Sequence, residues 1–115
     1  MNEYLLLFRM DITSPEAQPS PEQMDLYMMQ WERWINSIAD QNKLAEGGNH
    51  LSAEGKVLSS GNKINSGPYT VNKESVAGYI IILASNLDEA VSIAQDCPIL
   101  LGEGTSVEVR RIASV

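Results

Sequence analysis

His50 is the single histidine of this sequence and Cys97 its single cysteine. A histidine is the natural general base near neutral pH, but it needs a carboxylate or hydroxyl partner in hydrogen-bond reach. His50 follows Gly47-Gly48-Asn49, and the plainer reading there is a solvated loop histidine just past a helix. Glu74 is a second candidate base. Cys97 stands between Asp96 and Pro98 at a helix C-terminus, whereas a reactive thiolate is favoured at a helix N-terminus or beside a cation. It reads as a small buried hydrophobe. The many serines allow a triad on paper and therefore argue for none. No metal-ligand spacing is present, and neither Gly47-Gly48 nor Gly102-Glu103-Gly104 opens a helix as a phosphate-cradling loop does. The expectation is no metal and no cofactor.

Trp31 and Trp34 could form a platform for a flat ligand, although two tryptophans at helical spacing more often belong to a core. Glu108 and Arg110 alternate with Val107 and Val109, so they share one face of an outer strand. They are solvated there, or paired across a dimer.

The elements that must position these residues follow from hydrophobic period. Glu3 to Met10 reads as a strand with Tyr4, Leu6, Phe8 and Met10 on one side and Leu5 and Leu7 on the other. Asp11 to Ser20, with Pro15 and Pro19, reads as a loop. Ser20 as N-cap, Pro21 at the first helical position and Gln23 at capping-box spacing open a helix. Its stripe is Met24, Tyr27, Met28, Trp31, Trp34, Ile35 and Ile38. The stripe frays near Lys43-Leu44, and Gly47-Gly48 reads as the stop. Lys56 to Ser59 and Lys63 to Asn65 suit a short strand pair around Gly61-Asn62. Tyr79-Ile80-Ile81-Ile82-Leu83 is the clearest central strand. A second helix starts at the Asn86 cap, turns Leu87, Ala90, Val91 and Ala94 inward, and ends at Cys97-Pro98. Ser106 to Ile112 forms the last strand.

The reading is an α+β chain in ferredoxin-like β-α-β-β-α-β order, with an antiparallel sheet and both helices on one face. The first and third strands are then central, and those are the two with apolar residues on both faces. Helices on one face leave the other sheet face apolar and uncovered, and a second copy of the chain is the simplest cover.

At 115 residues, 43% apolar and 20% charged, the chain fits a single globular domain over 1–115. A net charge of −7 without a basic cluster excludes non-specific nucleic-acid binding. One cysteine excludes an intramolecular disulfide. Met1-Asn2-Glu3 lacks a basic region and the apolar run from Tyr4 to Phe8 is too short for a signal peptide or a membrane span. A cytoplasmic location without membrane contact is therefore expected.

From Ser66 onward the residues resemble the YCII-related family in its DGPF-type branch. The matching segments are Ser66-Gly67-Pro68-Tyr69, Lys73-Glu74, Ala77-Gly78-Tyr79-Ile80-Ile81, Cys97-Pro98-Ile99-Leu100 and Val107-Glu108-Val109-Arg110-Arg111. Upstream, Tyr4-Leu5-Leu6-Leu7 and the Trp31/Trp34 pair fit the same pattern. The resemblance implies a ferredoxin-like domain that dimerises through its sheets into an α/β barrel. For a smaller branch of that family, the resemblance implies a His–Asp pair with the histidine on the first helix. This sequence has Trp31 near that place, and Ser66 stands where the branch's name-giving aspartate would be. Serine is no general base at neutral pH without help. Members encoded beside alternative sigma factors point to a regulatory setting.

Three functions compete. The first is a homodimeric small-molecule-binding domain, of the kind a degenerate enzyme leaves, with a cleft between the sheet and the first helix lined by Trp31, Trp34, His50, Ser66 and Tyr69. The second is an isomerase- or lyase-type enzyme with His50 or Glu74 as base. The third is a structural or regulatory dimer without ligand. An open cleft with converging polar groups favours the first two, a collapsed one the third.

Overall fold

The computed structural model describes residues 1–14 and 17–114; Pro15, read above as part of a loop, lies outside them. Strand β1 (Asn2–Met10) leads into helix α1 (Pro21–Asp40), followed by β2 (Leu44–His50), β3 (Lys56–Ser59), β4 (Lys63–Ser66), β5 (Ser75–Ala84), helix α2 (Leu87–Ala94), a 3₁₀ turn (Pro98–Leu101) and β6 (Ser106–Arg111). Four strands make one antiparallel sheet in the order β2-β5-β1-β6, and β3 and β4 pair as a separate hairpin. The sheet order is that of a ferredoxin-like fold, with its first and third strands, β1 and β5, in the middle.

The core lies between the sheet and the helices. Tyr4, Leu6 and Phe8 of β1 face the same side as Ile80, Ile82 and Ala84 of β5, and all are buried against Trp34 and Ile38 of α1 and Ala90 and Ala94 of α2. Cys97 and Ile99 close one end. Both helices start where side chains satisfy free N–H groups. The Gln23 N–H donates to Ser20 Oγ at 3.2 Å while the Ser20 N–H donates to Gln23 Oε1 at 2.9 Å, and the Glu89 N–H donates to Asn86 Oδ1 at 2.8 Å. These are the reciprocal and single caps the spacing predicts.

Two expectations need correction. The first helix stops at Asp40, not at Gly47-Gly48, and Leu44–His50 is the sheet's second strand. The pair Lys56–Ser59 and Lys63–Ser66 stands outside the sheet. The physical reason lies in β2 itself. Its register against β5 shifts between Leu44 and Glu46 and again between Glu46 and Asn49, so extra residues destroy the period-2 signature of a strand. Gly48 is the pivot, with φ +64° and so little room that a Cβ would lie 1.6 Å from the Tyr79 carbonyl oxygen. Glycine here permits close backbone approach rather than ending a helix.

The helical stripes are also shorter than they read. Met24 and Met28 remain 44% and 48% exposed, because the first half of α1 runs beyond the sheet that its second half covers. Tyr27, Trp31 and Ile35 are half-buried. On α2, Leu87 and Val91 are exposed where inward positions were expected. Among the described residues, no helix is long and apolar enough to cross a membrane.

Candidate functional site

Three segments far apart in sequence build an open cleft of about 720 Å³. The end of β1 supplies Arg9, the start of the β3–β4 hairpin supplies Gly55, Lys56 and Val57, and the connection into β5 supplies Pro68, Tyr69, Val71 and Glu74. The hairpin is held against that connection by the Gly67 N–H, which donates to the Gly55 carbonyl at 3.0 Å. A side chain on Gly67 would meet the Gly55 carbonyl carbon and the Lys56 nitrogen, each at 3.0 Å, so glycine sets how closely the two backbones approach.

Ser75 fixes the rim. It is buried, its hydroxyl donates to the Tyr69 carbonyl at 2.8 Å, and it shares a second hydrogen bond of 2.8 Å with the Thr70 hydroxyl. The backbone of Tyr69 is thereby pinned while its ring stays 70% exposed beside the opening. Glu74 comes from a tight turn in which Val71 and Glu74 exchange both backbone hydrogen bonds, at 3.0 and 2.9 Å. Its carboxylate accepts from Ser106 Oγ at 3.1 Å. Arg9 Nη1 donates to Glu108 Oε1 at 2.7 Å, and Arg110 Nε lies 3.8 Å from the other oxygen of Glu108. The cleft mouth thus presents both signs of charge beside an apolar wall of Leu51, Val57, Pro68 and Val76.

The five residues expected to line one cleft do not come together. Trp34 is core, its indole N–H donating to the Ile93 carbonyl at 3.2 Å. Trp31 packs edge-on against Phe8 and Trp34, with centroids 4.7 and 5.5 Å away. His50 is the last residue of β2 rather than a loop histidine, and its ring lies edge-on to Trp31 at 6.0 Å. That contact belongs to the helix side of the sheet, away from the lining of the cleft. Ser66 ends β4 and is exposed. Of the set, only Tyr69 lines the cleft, joined by Glu74, the other proposed base.

Arg9, Lys56 and Ser75 escape a sequence reading. Arg9 and Glu108 are 99 positions apart, and no periodicity links them. The one available signal is Arg9 itself, a charge interrupting an apolar strand.

Cys97 behaves as its setting dictates. Burial pushes its thiol from the ordinary 9.0 up to about 12, outweighing the lowering effect of the backbone hydrogen bond from Ile99. It is no nucleophile at neutral pH. Among the described residues, no group of three or more His, Cys, Asp or Glu side chains is placed to hold a metal ion.

No curated protein gives a match to this sequence. The YCII-related domain model matches residues 34–113, a span from the second half of α1 through β6 that contains three of the four sheet strands, the hairpin and α2. With that match over more than half of its length, the chain belongs to the YCII-related domain family.

Proposed function

We propose that this chain is a small-molecule-binding domain that acts as a homodimer, with the cleft at Arg9, Lys56, Tyr69 and Glu74 as its binding site. The observation that carries the reading is the cleft. Its volume lies within the range typical of ligand sites, about 300–1,000 Å³, and an apolar wall meets a few convergent polar groups there. A ligandless structural dimer gives no reason for an aromatic ring held 70% exposed above such an opening. The chemistry fits a compact organic molecule with a flat or aliphatic body against Tyr69 and Pro68 and a charged group toward Lys56 or Glu74.

One observation favours catalysis as a second reading: Glu74, a carboxylate, lines the cleft. His50 does not, which removes the histidine base from that scheme. The Ser66-Gly67-Pro68-Tyr69 segment supports placement in the DGPF-type branch, with the hairpin held by Gly67 as its structural use. A single buried cysteine is in keeping with a cytoplasmic setting.

The test is a thermal-shift screen of a metabolite library on wild type, Tyr69→Ala and Lys56→Ala. Hits that stabilise wild type and lose their shift in these variants support the cleft. Hits whose shift is untouched by both variants put the site elsewhere and overturn the proposal. Turnover of a hit that disappears in Glu74→Gln, with binding retained, moves the protein to the enzyme reading.

A further inference from the structure

Four charged side chains line the cleft, Arg9 and Lys56 of one sign, Glu54 and Glu74 of the other. None of the four pairs with another. Arg9 is matched by Glu108, and among the described residues no ion pair engages Lys56, Glu54 or Glu74. The cleft therefore has two poles, kept beyond ion-pair distance of each other beside one apolar wall.

The negative pole is the better built. Glu74 is half-buried, and the Ser106 hydroxyl donates to its Oε1 at 3.1 Å. Its Oε2 accepts from no group among the described residues, so a partly desolvated carboxylate keeps one oxygen for a donor from outside. The positive pole is looser. Lys56 is exposed, and Arg9 gives only Nη1 to Glu108, leaving Nε and Nη2 without an acceptor among the described residues. A charge-assisted hydrogen bond strengthens as water is excluded, so a cation at Glu74 gains more than an anion at Lys56.

The Tyr69 ring, 70% exposed on a pinned backbone, offers its face to a flat body or to an ammonium group. A ligand of one sign matches one pole and meets like charge at the other. A ligand of both signs matches the two together.

We infer that the cleft takes a zwitterion, an ammonium and a carboxylate on one apolar body, with the ammonium on Glu74 and the carboxylate at Lys56 and Arg9. The inference rests on the cleft reading above and adds the substrate class. An α-amino acid and an ω-amino acid share this chemistry and differ in how far apart their charges stand.

Calorimetric titration of the full chain tests it. The probes are L-phenylalanine with its single-charge analogues phenethylamine and hydrocinnamate, and ε-aminocaproate with pentylamine and hexanoate. The better-bound zwitterion reveals the spacing. Removing its ammonium weakens binding about tenfold, and removing its carboxylate about threefold. Glu74→Gln keeps the size of the side chain and an acceptor for Ser106. It weakens the zwitterion and the amine about tenfold and leaves the acid unchanged. Lys56→Gln weakens the zwitterion and the acid about threefold and leaves the amine unchanged. Circular dichroism confirms that both variants are folded.

An acid that binds as tightly as its zwitterion, variants that treat all three ligands of a set alike, or no binding by either zwitterion overturns the inference. If a screening hit of single charge still depends on Tyr69, the cleft reading stands without the zwitterion. Zwitterions that bind equally to wild type, Tyr69→Ala, Glu74→Gln and Lys56→Gln sit elsewhere, and both conclusions fall.

Discussion

The Trp34 indole N–H donates to the Ile93 carbonyl at 3.2 Å, which ties the middle of α1 to the end of α2 above the sheet. Trp34 is 6% exposed and meets Phe8 edge-on with centroids 6.0 Å apart. Replacing it with alanine removes a large buried ring and its hydrogen bond together, and the expected loss is about 3–5 kcal/mol in urea unfolding. Trp31→Ala loses less, since that ring is half-buried. Trp34→Phe keeps most of the packing and isolates the hydrogen bond, at about 1–2 kcal/mol including the carbonyl left without its donor. Equal losses for both alanine variants would show that the two rings share the core alike.

Gly48 and Gly61 both have positive φ, +64° and +81°, but only Gly48 is hemmed in. Gly61→Ala meets open space and bears only the left-handed backbone strain, about 1–2 kcal/mol. Gly48→Ala must displace the Tyr79 carbonyl and with it the β2–β5 pairing. The loss expected there is larger, on the order of 3 kcal/mol or more. Urea denaturation of the two variants side by side separates strain from steric exclusion. Similar losses would remove the case for close backbone approach at β2.

What the sequence reveals and what it hides follow from the same physics. β1 and β5 are legible because Leu5 and Leu7, or Ile81 and Leu83, alternate with residues as apolar as themselves, the mark of central strands. The Ser20 and Asn86 caps are legible because capping is a local interaction. β2 is hidden because its bulges erase alternation, and its Gly47-Gly48 pair imitates a helix stop. Met24 and Met28 mislead because a helical stripe records periodicity, not where the sheet beneath it ends. The cleft is the least legible part. Its groups are brought together by strand pairing and by the Gly67–Gly55 contact, so Arg9, Lys56 and Ser75 look ordinary until the sheet exists. Tyr69 and Glu74 could be singled out, but as members of a resembling segment rather than as neighbours.

The raised Cys97 thiol predicts both reactivity and pH dependence. Folding favours the protonated form, since the native value is near 12 against an ordinary 9.0. The resulting stabilisation is fully present below pH 9 and is lost as pH rises from about 9 toward 12, because the unfolded chain then sheds the proton that the folded chain keeps. Iodoacetamide at pH 8 should leave the native thiol unmodified over a period that suffices for full labelling in urea. Rapid native labelling would mean that the end of the core around Cys97 opens readily.

Arg9 and Glu108 form the shortest ion pair of the cleft region, 2.7 Å, and both side chains are partly exposed. Solvent screening limits such a pair, and a double-mutant cycle with Arg9→Gln and Glu108→Gln should give a coupling of about 0.5–1 kcal/mol that declines in 0.5 M salt. The larger consequence is positional, since the pair holds the guanidinium at the cleft mouth. For any ligand found in the thermal-shift screen, Glu108→Gln should weaken binding less than Arg9→Gln does. A reversed order would show that Glu108 itself meets the ligand.

The turn that delivers Glu74 carries an avoidable strain. Asn72 and Lys73 have φ of +51° and +67°, and two consecutive left-handed residues closed by the Val71–Glu74 hydrogen bonds mark the type I′ pattern. Asparagine tolerates that region, but lysine bears a cost that glycine at the second position avoids, which is why Asn-Gly is the favoured pair. Lys73→Gly therefore removes roughly 1 kcal/mol of strain, while the greater freedom of glycine in the unfolded chain offsets part of it. The expected outcome is a net stabilisation of about 0.5 kcal/mol in urea unfolding. Lys73→Val, with a β-branched side chain in the same conformation, should instead cost more than 1 kcal/mol. If the glycine variant is the less stable of the two, the turn is not left-handed at Lys73, and the placement of Glu74 at the cleft mouth fails with it.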